Sequence, residues 1–152
     1  MQRHCVPHIL TRCQTLKESM KYDIEFPNPF GFGVDIVDVD DHLPSLGCNI
    51  KLQLELPRGV FSYSASDVWF EYSVYDQFVA DLKLLLTGEV VEAEFYDIDR
   101  EILYSFTKQK ISISVQRIHS EKGTGYMEFK QDNDPELIQQ HISHLEKFAK
   151  WW

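Results

Sequence analysis

The chain holds 24 Asp and Glu residues against 6 His and 3 Cys, so carboxylates are its main chemical resource. Glu92 and Glu94 stand two apart in Val91-Glu-Ala-Glu-Phe95, and Asp97 and Asp99 follow directly. Two carboxylates facing each other across a cleft can divide acid and base roles once their environments separate their pKa values. Glu92 and Glu94 instead sit side by side on one alternating stretch, with Val91, Ala93 and Phe95 directed inward and both acids directed to water. The second cluster is Asp35-x2-Asp38-x-Asp40-Asp41-His42. Calcium in an EF-hand needs ligands at alternate positions, a central glycine and a glutamate at the twelfth position, and this stretch lacks that order. Asp38 and Asp40 share one strand face and Val37 and Val39 the other, which describes an exposed acidic rim.

The softer ligands form no better constellation. His4-Cys5-x2-His8-x4-Cys13 gathers four of them, but its spacing fits no zinc finger or knuckle. His141 and His144 are three apart on a helical stretch and need further ligands to hold a metal. His119 has no serine or cysteine elbow beside it. Walker, Rossmann, G-x-S-x-G and H-E-x-x-H patterns are all missing. The expectation is a protein without catalytic residues, metal or cofactor.

Charge is unevenly placed along the chain. Arg3, Arg12, Lys17 and Lys21 face only Glu18 in residues 1–21, so a net charge of −9 divides into +3 there and −12 in the rest. A body this negative repels nucleic acid phosphates and anionic membranes and draws in basic proteins. Hydrophobic residues at 43% and aromatics at 13% supply a core, and 152 residues suit one domain. Three cysteines without framework spacing, no apolar run long enough for a bilayer and no signal-peptide h-region point to the cytoplasm.

The elements that must carry these groups follow from periodicity. Residues 1–19 show no clean period and read as a basic extension or a short helix, with residues 20–152 as the domain. A strand opens at Met20, and Pro27-Asn-Pro-Phe-Gly-Phe-Gly33 connects it to a strand over Val34–Val39. Ile50-Lys-Leu-Gln-Leu-Glu-Leu56 alternates without a fault and turns through Pro57-Arg58-Gly59 into a strand over residues 60–65. Val74, Phe78, Leu82, Leu85 and Leu86 form the apolar face of a helix over residues 74–87, with Ser73 as its cap and Gly88 as its stop. Strands over residues 90–96, 102–107, 110–118 and 125–130 come next. A last helix is capped by Asp134, starts at Pro135 and carries Ile138, Ile142, Leu145, Ala149 and Trp152 on its apolar stripe. The class is α+β, a single twisted antiparallel sheet with a central and a C-terminal helix packed on one face.

One stretch also carries a family resemblance. Val68-Trp-Phe-Glu-Tyr-Ser-Val-Tyr-Asp-Gln-Phe78 leads into a helix with Asp76, Phe78, Leu82, Leu85 and Gly88 in a D-x-F-x3-L-x2-L-x2-G pattern. Val90-Val-Glu-Ala-Glu-Phe95 and Glu101-Ile-Leu-Tyr-Ser-Phe106 continue it as a meander. Over roughly residues 48–118 this resembles the small WapI-type immunity proteins of bacterial polymorphic toxin systems. The resemblance implies a non-enzymatic intracellular protein that binds a co-encoded toxin domain and blocks it. Acidity agrees, since a negative inhibitor is drawn to a basic toxin. The expected partner-binding residues are Asp38, Asp40, Glu92, Glu94, Asp97 and Asp99. The alternative is a structural or assembly module of a bacterial complex, held through a sheet edge and the C-terminal helix.

Overall fold

The computed structural model describes residues 22–152. The basic segment 1–19, its histidines and cysteines, and the strand opening at Met20 lie outside them. In chain order the elements are β1 (Ile24–Phe26), β2 (Gly31–Asp40), β3 (Ser45–Leu56), β4 (Gly59–Glu71) and α1 (Tyr72–Thr87). Then come β5 (Ala93–Tyr96), β6 (Ile102–Phe106), β7 (Lys110–Ser120), β8 (Gly123–Asp132) and α2 (Pro135–Glu146). No helix among the described residues is long and apolar enough to cross a membrane.

The class is α+β, but the strands form two sheets and not one. Each is a four-stranded antiparallel meander, β1-β2-β3-β4 before α1 and β5-β6-β7-β8 after it. Alternation tells a strand which face to bury; it does not tell it which sheet to join. Here the buried faces of both meanders supply one core. Phe26 and Phe32 of the first sheet meet Tyr104 of the second, with ring centroids 5.2 and 5.9 Å apart, and Phe70 stacks on Phe95 at 4.7 Å. The α1 helix adds Phe78, which touches Phe26, Phe95, Tyr104 and Phe106. It therefore packs on residues of both sheets, where a single-sheet layout has it lying across one.

Local signals explain most boundaries. Pro57 and Arg58 turn β3 into β4, whose register runs Leu56↔Gly59 to Ser45↔Glu71. Gly88 ends α1 in the left-handed region (φ 80°) with its N–H reaching back to the carbonyls of Leu84 and Leu85. Asp134 accepts from the Leu137 N–H at 2.9 Å and Pro135 opens α2. Four expectations fail. Ser73 does not cap α1; the chain passes straight from β4 into the helix with Glu71 as N-cap, and the Tyr72 N–H donates to the Pro44 carbonyl at 3.0 Å. Helix α2 stops at Glu146, so Ala149 and Trp152 lie beyond it; Ala149 is exposed and Trp152 stacks on Tyr72. The strand expected from Val90 begins only at Ala93, and Val91, expected inward, is 85% exposed. The 102–107 strand ends one residue early, because the Thr107 N–H is taken by the Lys110 carbonyl in the turn.

Candidate acidic cleft

The pleat of β5 sends Ala93 and Phe95 into the core and turns Glu94 and Tyr96 the other way. On α1, Gln77 and Asp81 are four apart, so they share a face. That face and the outer side of β5 enclose a cleft of about 190 Å³ lined by Val74, Gln77, Asp81, Glu92, Glu94 and Tyr96. Three carboxylates thus converge where Glu92 and Glu94 alone were expected.

Their compensation is thin. Gln77 Nε2 donates to Asp81 Oδ1 at 2.8 Å, and the Ser105 hydroxyl, opposite Glu94 in the ladder, donates to Glu92 Oε1 at 2.8 Å. Arg100 supplies the positive charge: its Nη1 lies 3.9 Å from Glu94 Oε2 and its guanidinium sits 3.8 Å above the Tyr96 ring. Burial pushes the Glu94 carboxyl above its ordinary value, the Glu92 charge pushes it further, and Arg100 pulls it back. Such a cleft suits a lysine or arginine side chain, which would bring the missing positive charge. Among the described residues no three His, Cys, Asp or Glu side chains are placed to hold a metal ion.

The other expected residues lie elsewhere. Asp97 does not extend the exposed charge. It is 4% exposed and accepts from the Ile102 N–H at 2.8 Å, which fastens the β5–β6 turn. Asp99 is exposed, and Arg117 Nη2 donates to its carbonyl at 2.6 Å. Asp38 and Asp40 belong to β2 in the first sheet and line no part of the cleft. Asp38 accepts from Val39 N–H at 2.8 Å; Asp40 accepts from His42 N–H at 2.8 Å and Leu43 N–H at 3.2 Å, and these bonds hold its carboxyl below the ordinary value. Asp81, Gln77 and Tyr96 were missed as site residues. Both Asp81 and Gln77 lie off the apolar face of the helix, and only the packing of α1 beside β5 makes that polar face a wall.

Two further features frame the cleft. A wider groove of about 950 Å³ lies between α1 and the end of α2, walled by Tyr75, Val79, Leu84 and Phe148. Ion pairs Lys83–Glu146 and Lys150–Asp76 bridge from one element to the other. Inside the core, Tyr104 and His141 are fully buried and hydrogen-bonded to each other, closed to any substrate. Cys48 is buried too, and desolvation pushes its thiol up to about 12, so it is no nucleophile at neutral pH. Comparison of the chain with protein-family models, curated proteins and solved structures found no match.

Proposed function

We propose that this chain is an immunity-type binding protein that neutralises a basic toxin domain encoded beside it, acting in the cytoplasm without catalysis. The observation that carries the reading is the convergence of Asp81, Glu92 and Glu94 on one cleft, where Arg100 is the one cation among the described residues in an ion pair with any of them. Leaving like charges together costs stability, and a basic partner relieves that cost on binding. The surplus of −12 outside residues 1–21 speeds the encounter, and the resemblance of the Asp76–Gly88 stretch to WapI-type immunity proteins supplies the class of partner.

The test is a titration of the chain with the toxin domain encoded next to it, at low and at high salt. Glu92→Lys with Glu94→Lys should keep the fold, since substitutions at such positions shift stability by only about 0.5 kcal/mol each. Binding should weaken by tenfold or more, and the wild-type affinity should fall as salt rises. Unchanged affinity in the double variant removes the cleft from the interface, and no binding by the wild type removes the immunity reading. A second reading, an assembly module, is favoured by the apolar walls of the α1–α2 groove. Its signature is a partner held by apolar contact, with affinity that salt leaves unchanged.

A further inference from the structure

Among the described residues, the titratable group of an α-helix buried without any exposed surface is His141, and its surroundings bias its protonation state. Its Nδ1 lies 2.8 Å from the Leu137 carbonyl, which can only accept, so Nδ1 carries the proton. Its Nε2 lies 2.9 Å from the Tyr104 hydroxyl and, in the neutral ring, accepts from it. A second proton would go on Nε2, and the Tyr104 hydroxyl would then have to turn from donor to acceptor. Tyr104 is itself fully buried and burial holds its hydroxyl well above the ordinary value, so it stays protonated and supplies no negative charge.

The other elements packed on the ring offer no counter-charge. From the β1–β2 connector comes the Pro27 carbonyl, from β6 the apolar edge of Phe106 at 4.7 Å, and from α2 itself His144, of like sign when protonated. No carboxylate among the described residues pairs with His141 in an ion pair or hydrogen bond. The Leu137 and Pro27 carbonyls favour the charged ring, but burial outweighs them, so an imidazolium here is better placed in water.

We propose that α2 is an acid-released latch, in which protonation of His141 undocks the C-terminal helix while both sheets stay folded. The cheapest route to water is local. Helix α2 follows β8 and belongs to neither strand ladder. It is held by one stripe, Ile138, His141, Ile142 and Leu145, by the Tyr75 hydroxyl donating to the Leu145 carbonyl at 2.6 Å, and by the exposed Lys83–Glu146 ion pair. Ladders of eight strands do not depend on it, so its opening is a separate step from global unfolding. Release would uncover Tyr104 and Phe106, a buried apolar surface that the neutral form keeps closed. This holds whether or not the cleft binds a toxin.

Amide hydrogen exchange on the intact chain, corrected for intrinsic rates, tests it between pH 7 and pH 5. Burial depresses the His141 imidazole from 6.5 to about 4, so the opening constant of α2 should rise ~20-fold over that interval. Amides of β6 and β7 should stay more protected than those of α2 at both pH values. His144→Gln, at an exposed position, should leave the response intact, and His141→Gln should abolish it. The proposal is overturned if α2 is unresponsive to pH, if α2 and the sheets open together, or if His144→Gln removes the response. Should His141→Gln not fold, the wild type and the His144 variant decide alone.

Discussion

The two acidic regions look alike in sequence and differ in what their carboxylates touch. In β2 and the loop after it the partners are main-chain N–H groups. Asp23 accepts from Ile36 at 2.8 Å, Asp35 from Asp23 at 3.3 Å, Asp38 from Val39, and Asp40 from His42 and Leu43. In the cleft the partners are side chains: Gln77, Ser105 and a distant Arg100. A carboxylate bonded to local backbone serves the fold and is already stabilised when ionised. One crowded by other carboxylates is not, and it keeps charge available for a partner. Acidic density therefore does not locate an interface. The kind of donor already engaged separates structural acids from available ones.

That contrast depends on α1 remaining in place, because α1 is one wall of the cleft and no part of the β2 loop. Leu82 is wholly buried on the core side of α1. Leu82→Ala should cost about 2–5 kcal/mol in urea unfolding, through lost transfer energy and the cavity left behind. A loss under about 0.5 kcal/mol would show that the helix face is not the wall described here.

Asp97 sharpens the contrast from the other side, since it sits between Glu94 and Asp99 in sequence yet accepts from backbone N–H as the β2 acids do, although burial raises its carboxyl above the ordinary value where Asp40 is lowered. Asp97→Ala strands the Ile102 N–H in a buried position and should cost about 1–3 kcal/mol. Asp97→Asn keeps an acceptor oxygen there and should cost less. Equal stability for wild type and both variants would return Asp97 to the exposed charges.

Much of this was legible along the chain, and the failures share one cause. Ile50–Leu56 alternates and forms part of β3; Gly88 and Asp134 mark helix ends that the structure confirms. These are local effects, set by pleat, φ freedom and side-chain reach. The division into two sheets was not legible, because a helix between two meanders can return the chain to the same sheet or begin another. Ser73 has the chemistry of a cap but is already the second residue of α1, since the pairing of Ser45 with Glu71 carries the strand up to the helix start. For the cleft, period 2 correctly turned Glu94 outward, while Asp81 joined it only through the packing of α1 beside β5. Asp97 went wrong because outward direction was extended from the strand into a turn, where alternation no longer applies.

The smallest effect separates the two regions by sign. The Glu94 carboxyl is raised by burial and by Glu92, so it binds a proton more readily folded than unfolded. Its ionisation therefore subtracts stability as pH rises through the folded value, and the cost is present at pH 7. Glu94→Gln removes that cost and should raise stability at pH 7, by about 0.5 kcal/mol or less at a site still partly wet, with no gain once pH falls below the carboxyl's unfolded range. Asp40 is lowered by its two N–H donors, so its ionisation adds stability above the unfolded value and that contribution is lost as pH falls through the folded one. Asp40→Ala should therefore lower the urea midpoint at pH 7 and make little difference in strong acid. Urea titrations of both variants at pH 7 and pH 3 measure the two signs directly. If both substitutions destabilise at pH 7, the cleft carboxylates are as well satisfied as those of β2, and the distinction between structural and available acids does not hold.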